Sequence, residues 1–305
     1  MRILLTGASS FSGLWIARML AEAGHEVVAA LRSTVYDDPL RQTRIDQAAK
    51  WAELAPGAPF GSDAFAQLIS TRGPFDILCH HGAEAAGHKS PDFDVAGAVR
   101  ANTWRMDETL AGFKTSGGAR LVLTGSVFEE NEGLGEEPRR AFSPYGLSKT
   151  LTSQAFAEGA ARAGLEFVKF VIPNPFGPYE APTFQRHVMT AWREGRVPRV
   201  THPFYVRDNV PVGLLARVYA AAARGGLGGH VSPSFYAGPV GEFFQRMARE
   251  VAPRTGWACE LELADSQSFD EPKTRTNTQP INPADYDWTE GRFWDAYARY
   301  YAESA

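Results

Sequence analysis

The sequence predicts an α/β protein: a doubly wound parallel sheet with a smaller C-terminal lobe. Three features point to it. Short apolar runs alternate with longer amphipathic ones through the first half, the rhythm of βαβ units. A glycine turn, Thr6-Gly7-Ala8-Ser9-Ser10-Phe11-Ser12-Gly13, separates the first apolar run from the first amphipathic one. Beyond Pro173 the rhythm breaks and prolines and aromatics become frequent. At 305 residues and 44% hydrophobic content the chain can build a full-sized core plus a companion lobe. The same composition excludes a wholly disordered chain, a collagen-like repeat or a coiled-coil rod.

In chain order, Arg2–Thr6 reads as a strand and Leu14–Ala23 as a helix stopped by Gly24. Glu26–Leu31 is the second strand, and Asp76–His80, Arg120–Thr124 and Phe167–Ile172 are further buried strands. Helices are expected at about Asp94–Phe113, Pro144–Ala163 and Val210–Ala223. Over Thr289–Ala302 the residues Phe293, Trp294, Tyr297, Tyr300 and Tyr301 recur at near-helical spacing, which predicts a helix docked on a core. The run Glu129–Glu137 reads as a solvated acidic loop, and His80, Glu84 and His88, spaced by four, as structural groups in a loop broken by glycines.

Lys and Arg number 31 against 35 Asp and Glu, a net charge of −4, so no global attraction to nucleic acid or an anionic membrane is expected. No apolar run approaches the ~20 residues that span a bilayer. The N-terminus enters a strand without a signal-peptide pattern, which predicts a cytoplasmic location. Cys79 and Cys259 form no CxxC or Cys/His cluster, so no metal site is expected, and Cys79 reads as a buried, inert thiol.

The chemistry starts at the glycine turn. Gly7 permits a tight strand-to-helix turn, Gly13 lets the helix pack closely, and the small residues between let backbone N–H groups reach a pyrophosphate at the positive helix end. Ser10 stands where a middle glycine is expected. The second strand ends Ala30-Leu31-Arg32-Ser33, with no acid until Asp37. An acid there would bind a ribose 2′-OH and an arginine a 2′-phosphate, so Arg32 favours NADP over NAD; the alternative is a solvated surface arginine. Pro144-Tyr145-Gly146-Leu147-Ser148-Lys149 opens a helix, which puts Tyr145 and Lys149 one turn apart on one face. A nearby ammonium favours the phenolate, so Lys149 is expected to lower the proton affinity of Tyr145. The preceding strand ends in two hydroxyls, Thr124 and Ser126, which face the ligand crevice of a doubly wound sheet.

From Met1 to about Val212 the chain resembles the extended short-chain dehydrogenase/reductase family, the NAD(P)-dependent nucleotide-sugar epimerases, dehydratases and reductases. Thr6-Gly7-x-x-Ser10-x-x-Gly13 is similar to TGxxGxxG, Gly61-Ser62-Asp63 to the acidic segment at the adenine, and His80-His81-Gly82-Ala83 to His-x-Ala-Ala. Leu123-Thr124-Gly125-Ser126-Val127-Phe128 resembles Ser-Ser-x-x-Val-Tyr, and Pro173-Asn174-Pro175-Phe176-Gly177-Pro178 resembles Phe-Asn-x-Tyr-Gly-Pro, with Val171 where the family has arginine. Phe204–Val210 resembles Tyr-Val-x-Asp-Val and reads as architectural.

The resemblance implies a Rossmann-type domain over 1–173, rejoined by 205–229. It implies a substrate-binding lobe from 174–204 and 230–288, with 289–305 as the C-terminal aromatic helix. Thr124 would be the catalytic hydroxyl, Ser126 an auxiliary one, Tyr145 the acid/base and Lys149 its partner. Gly7, Ser9, Ser10, Phe11, Ser12, Gly13, Arg32, Asp63, Ala64, His81, Gly82, Ala83, Asn102, Tyr145, Lys149 and Pro173 would bind the cofactor, NADP or NAD. Thr124, Asn174 and Arg275 would hold a nucleotide sugar, Arg275 at its diphosphate unless it is a surface arginine. Gly125-Ser126 stands where dehydratases carry an acid/base pair, which disfavours dehydration. The expected reaction is therefore reduction of a 4-keto nucleotide sugar by NADPH. The alternatives are a 4-epimerase with tightly held NAD(P), and a catalytically silent dinucleotide-binding sensor or scaffold. Val95, Ala98, Val99, Leu151, Ala155, Gly159 and Ala160 widen the apolar arc of their helices, which predicts a homodimer through them.

Overall fold

In a computed structural model of the chain, which describes residues 1–265, 269 and 271–303, seven strands form one parallel sheet. Their spatial order is His230–Val231, Glu166–Ile172, Arg120–Ser126, Ile77–His80, Arg2–Thr6, Glu26–Ala30 and Glu53–Ala55. The chain leaves Arg2–Thr6 toward one edge, then returns to its other side at Ile77–His80, so the winding direction reverses between these two strands. Ligands of doubly wound sheets bind outside the carboxyl ends at such a point.

The strands are continuous apolar runs because both faces of the sheet are covered. On one face Leu4, Val28, Leu78, Leu121 and Leu123 pack against Phe65, Leu68, Leu110, Phe113, Phe156 and Ala160 from three helices. Alternate residues point the other way, and Phe170 meets Tyr219 of helix Val212–Arg224 with ring centroids 4.7 Å apart. Local chemistry sets the helix ends. Ser143 accepts a hydrogen bond from the Gly146 amide, Pro144 fills the first helical position, and Gly164 closes the helix Pro144–Ala163 at φ 66°.

The single helix expected over 94–113 is two helices, Val95–Asn102 and Met106–Thr115. Arg105 breaks it by taking a left-handed conformation, φ 48°, in which its guanidinium reaches both Asp63 and Glu108. Short elements that the periodicity did not mark include strand Glu53–Ala55 and the helices Pro39–Ala48, Asp63–Arg72, Phe184–Arg193 and Val240–Thr255.

The chain divides into two compact units. The first comprises Met1–Glu132, Pro138–Ile172 and Ala216–Ser232; the second comprises Gly133–Glu137, Pro173–Leu215 and Pro233–Ala305. The return to the first unit expected at 205 therefore begins at 216, because Val206–Pro211 is a central strand of the second unit. It pairs in parallel with Asn174–Phe176 and Thr274–Thr276 and antiparallel with Tyr236–Pro239. The C-terminal helix Glu290–Glu303 buries its aromatic stripe in this unit. Phe176 sits among Phe243, Phe293, Trp294 and Tyr297, with ring centroids 5.1, 5.2, 5.6 and 5.7 Å away. Among the described residues no helix is long and apolar enough to cross a membrane.

One carboxylate is buried beneath that helix. Glu180 accepts from the hydroxyls of Tyr297 (2.7 Å), Tyr301 (2.6 Å) and Thr183 (3.0 Å), and burial pushes its carboxyl up to about 7 from the ordinary 4.5. The fold thus prefers its protonated form. That contribution is complete below pH 4.5 and is lost as pH rises through about 7, a difference of about 3 kcal/mol. Glu180→Gln keeps an acceptor for both tyrosines and carries no charge, so it should flatten this pH dependence and raise Tm at pH 8. A wild-type-like fall in Tm between pH 5 and 8 in that variant would show that Glu180 is not its source.

Candidate active site

Register aligns the site. Thr6 pairs with His80, and His80 pairs with Leu123, so the first and fourth strands in sequence end level with Leu123 of the fifth, and Gly7, His81 and Thr124 follow side by side. The glycine turn lies beyond the first of these ends. Gly7 holds φ 78°, and a Cβ there would come within 2.7 Å of the Gly82 amide nitrogen; one on Gly13 would come within 2.0 Å of the Gly7 carbonyl. Neither position has room for a side chain. Ser10 does, because it sits in extended backbone (φ −81°, ψ 168°) as the N-cap of helix Phe11–Glu22, its Oγ accepting from the Gly13 amide at 3.0 Å. Among the described residues the amides of Phe11 and Ser12 have no hydrogen-bond acceptor. A tight glycine turn and two open amides on a helix N-terminus fit the pyrophosphate of a dinucleotide.

Two adjacent histidines, the last residue of the fourth strand and the one after it, serve different partners. Nδ1 of His80 lies 3.1 Å from Thr6 Oγ1, and Thr6 Oγ1 accepts from the Gly82 amide at 2.9 Å. Nε2 of His81 lies 3.1 Å from Ser10 Oγ and 3.0 Å from Ser12 Oγ, and its Nδ1 lies 3.0 Å from Thr124 Oγ1. Burial first, and then the Lys149 charge, pull both imidazoles down to about 3, so both are neutral. Asn102 accepts from the Glu84 amide at 2.7 Å and donates to Thr152 Oγ1 at 3.3 Å, fixing the chain beyond Ala83. Glu84 pairs with Arg32 at 2.9 Å. His88 packs edge-on against Tyr145, 5.7 Å between centroids. His80, Glu84 and His88 therefore engage three separate partners, and among the described residues no group of three or more His, Cys, Asp or Glu is placed to hold a metal ion.

Tyr145 and Lys149 lie on the first turns of helix Pro144–Ala163. Lys149 donates to the backbone carbonyl of Thr124 at 2.7 Å, which locks the helix to the strand end. Its ammonium does not lower the tyrosine as expected. Burial and then the Glu129 carboxylate push Tyr145 up to about 12, and burial pulls Lys149 down. The phenol is thus protonated at neutral pH. Thr124 Oγ1 donates to Tyr219 Oη at 3.3 Å. Ser126 is engaged locally: its amide donates to Glu129 Oε1 at 2.7 Å and its hydroxyl accepts from the Phe128 amide at 3.2 Å.

The acidic run 129–137 is not uniformly solvated. Glu129 is 0% exposed, and Lys169 Nζ stands 2.6 Å from both Glu129 Oε2 and Glu132 Oε1, while His230 Nε2 lies 3.0 Å from Glu132 Oε2. A lysine on the neighbouring strand balances the charges, so the glutamates stay inside. Lys169 lies within an otherwise apolar strand pattern, a signal that the reading of 129–137 as a solvated loop missed. His81's side-chain role and Tyr219 had no comparable mark.

The side chain of Asp63 is 94% exposed and paired with Arg105 at 2.6 Å, and Ala64 is exposed beside it. In the second unit Pro173 is buried and Asn174 faces Asn209 across a parallel pair. Arg275 is not a solvated surface group: it is 1% exposed, on a strand in register with Arg207 and Gly135. Cys79 is fully buried, and burial pushes its thiol up to about 12.

A parallel sheet with this winding and a glycine turn at its first crossover define a Rossmann-type α/β protein. The model of the NAD dependent epimerase/dehydratase family matches residues 3–196, and the chain belongs to that family. Vestitone reductase of Medicago sativa is 25% identical over 202 residues, covering 59% of this chain and 60% of the relative, less than two thirds of its length. The fold is similar to that of the UDP-glucose 4-epimerase of Thermotoga maritima with UDP-glucose, at TM-score 0.74 and 17% identity over 99% of this chain and 98% of that one. It is likewise similar to the UDP-glucuronic acid 4-epimerase of Bacillus cereus with UDP-glucuronic acid and NAD, at TM-score 0.71 and 17% identity over 99% of each chain.

Proposed function

We propose that this chain is an NADPH-dependent reductase of a 4-keto nucleotide sugar, with Tyr145 as the proton donor. One observation carries the reading: Lys149 fastens the start of the helix that carries Tyr145 to the end of the strand that carries Thr124. The open amides of Phe11 and Ser12, with Gly7, Ser9, Ser10 and Gly13 around them, would hold the pyrophosphate, and the backbone of His81, Gly82 and Ala83, with Asn102, Lys149 and Pro173, the rest of the dinucleotide. The nicotinamide, when bound, supplies the hydride.

Tyr145 does the remaining work at the substrate oxygen. Its Oη gives up a proton as negative charge develops there, and Thr124 donates a hydrogen bond to the same oxygen. Water then returns the proton to Oη. A phenol pushed up to about 12 starts this step in the protonated state that a reduction requires. The reductase name of the Medicago relative supports the same direction. Asn174 and Arg275 are the proposed substrate contacts, and the two free cysteines, one of them buried, accord with a cytoplasmic location. The second reading is a 4-epimerase, favoured by the 4-epimerase names of the structural neighbours; the third is a silent dinucleotide-binding sensor or scaffold.

A panel of nucleotide-4-keto-6-deoxy sugars with NADPH, run beside their 4-hydroxy counterparts, separates the three readings. Stoichiometric loss of the reduced-nicotinamide absorbance is expected; turnover without net consumption marks an epimerase, and cofactor binding without turnover marks the sensor. Tyr145→Phe should keep the fold and dinucleotide affinity while losing roughly 10²–10⁴-fold in rate. Wild-type turnover in that variant would remove Tyr145 from the chemistry.

The proposed NADP preference rests on Arg32, whose guanidinium is 65% exposed after a strand that ends without an acid. Arg32→Ala should weaken NADPH by about ten- to a hundredfold in calorimetric titration and leave NADH unchanged. Equal losses for both would sink the preference.

The homodimer is proposed through a narrower surface than the helical pattern drew. Ala98, Gly159 and Ala160 are buried within the chain itself and Ala155 packs on its core, whereas Leu147 and Leu151 are 40% and 41% exposed beside half-buried Val95 and Val99. Leu151→Arg should shift the protein toward monomer in light scattering, since a twofold interface meets each substitution twice. A wild type that is monomeric at micromolar concentration would refute the dimer.

A further inference from the structure

We propose that His81 is a positioning residue for Thr124: its Nδ1–H turns the Thr124 hydroxyl so that the threonine proton is presented for donation, and the serines of the glycine turn hold His81 in the tautomer that does this. The proposal deepens the reading of Thr124 as the hydroxyl that meets the substrate oxygen, and rests on it.

The assignment follows from counting protons. A neutral imidazole has one N–H and one lone pair. Ser10 Oγ already accepts from the Gly13 amide, so its own proton is available for His81 Nε2, 3.1 Å away, and Ser12 Oγ lies at 3.0 Å from the same nitrogen. With hydroxyl donors around it, Nε2 is the acceptor, and the ring proton sits on Nδ1. Nδ1–H then donates to Thr124 Oγ1 at 3.0 Å. Thr124 accepts on that side, so its own proton points away, to Tyr219 Oη at 3.3 Å. That contact is the longest of the series and the easiest to exchange for a shorter one to a ligand oxygen. The other tautomer would make Nδ1 an acceptor and draw the Thr124 proton inward. Since burial and the Lys149 charge hold His81 near 3, the ring stays neutral through the physiological range and the direction of the chain does not reverse with pH.

The arrangement also makes the glycine turn and the catalytic strand one unit. Lys149 holds the Thr124 carbonyl and His81 holds its side chain. The residue is thereby fixed at both ends.

Long-range ¹⁵N–¹H spectra of the full-length protein, ¹⁵N-labelled at histidine, read the tautomer directly. His81 should be neutral and protonated on Nδ1 from pH 6 to 8, and the paired change Ser10→Ala with Ser12→Ala should abolish that preference. A wild-type ring protonated on Nε2 overturns the proposal. In kinetics, His81→Leu should lower kcat by about 10- to 100-fold, the worth of one lost oriented hydrogen bond, with the calorimetric affinity for NADPH retained. His81→Asn, whose amide nitrogen can stand where Nδ1 stands, should recover most of that loss. Loss of NADPH affinity in parallel with kcat, unrelieved by Asn, would make His81 a prop of the turn and overturn the proposal. A wild type without turnover on any substrate overturns the reductase reading alone, and the tautomer spectrum still decides this one.

Discussion

The candidate site depends first on the parallel, in-register pairing of three strands. Thr6, His80 and Leu123 lie side by side, so the residues immediately after each share one edge. Parallel pairing forces every strand to end in the same direction, and the crossover helices then begin or end beside those termini. The glycine turn, the histidine pair and Thr124 are far apart in sequence, yet a one-residue slip of the strand that carries Thr124 would turn it away from His81 and toward the opposite core. The apolar faces resist such a slip: Leu121 and Leu123 are packed on Phe156 and Phe113, while Val122 and Thr124 belong to the face covered by Tyr219.

Around that edge the protein keeps buried polar groups neutral or paired. Two imidazoles remain uncharged beside a buried lysine, Glu129 and Glu132 share Lys169, and the phenol of Tyr145 keeps its proton. An isolated charge would have to be desolvated at several kcal/mol, so each is balanced at hydrogen-bond distance. Glu129 has a double effect. It opposes the burial that pulls Lys149 down, and it disfavours the phenolate of Tyr145. The same carboxylate receives the Ser126 amide, so the end of the strand that carries Thr124 and the electrostatics of Tyr145 are set by one group.

Much of the fold was legible because its signals are local. Period and apolar runs marked most strands of the main sheet, and Ser143-Pro144 and Gly164 marked the ends of the long helix. Glu53–Ala55 is too short to show a period, and nothing in the 94–113 pattern announces that Arg105 will take φ 48° to reach Asp63. In the site, the glycine turn, Thr124, Tyr145 and Lys149 were legible because their chemistry depends on short spacings. The direction of the Tyr145 shift was not. It depends on Glu129, which only the folded loop after the strand brings inside. Arg32 was read from its place after a strand, but its pairing with Glu84 is a contact between residues 52 positions apart.

The departure of the glycine motif at Ser10 has a physical explanation. Backbone demands fall on Gly7, which needs a positive φ and has a neighbouring chain 2.7 Å from its missing Cβ, and on Gly13, whose missing Cβ would strike Gly7. The middle position adopts an extended conformation that any residue tolerates, and it serves as the N-cap, a place where serine stabilises the helix more than glycine does. A side chain there occupies space on the approach to the helix N-terminus, yet its hydroxyl answers the Gly13 amide and leaves those of Phe11 and Ser12 open. The serine therefore keeps the turn's capacity for an anion while adding a donor that a glycine lacks, and His81 is the group placed to receive it.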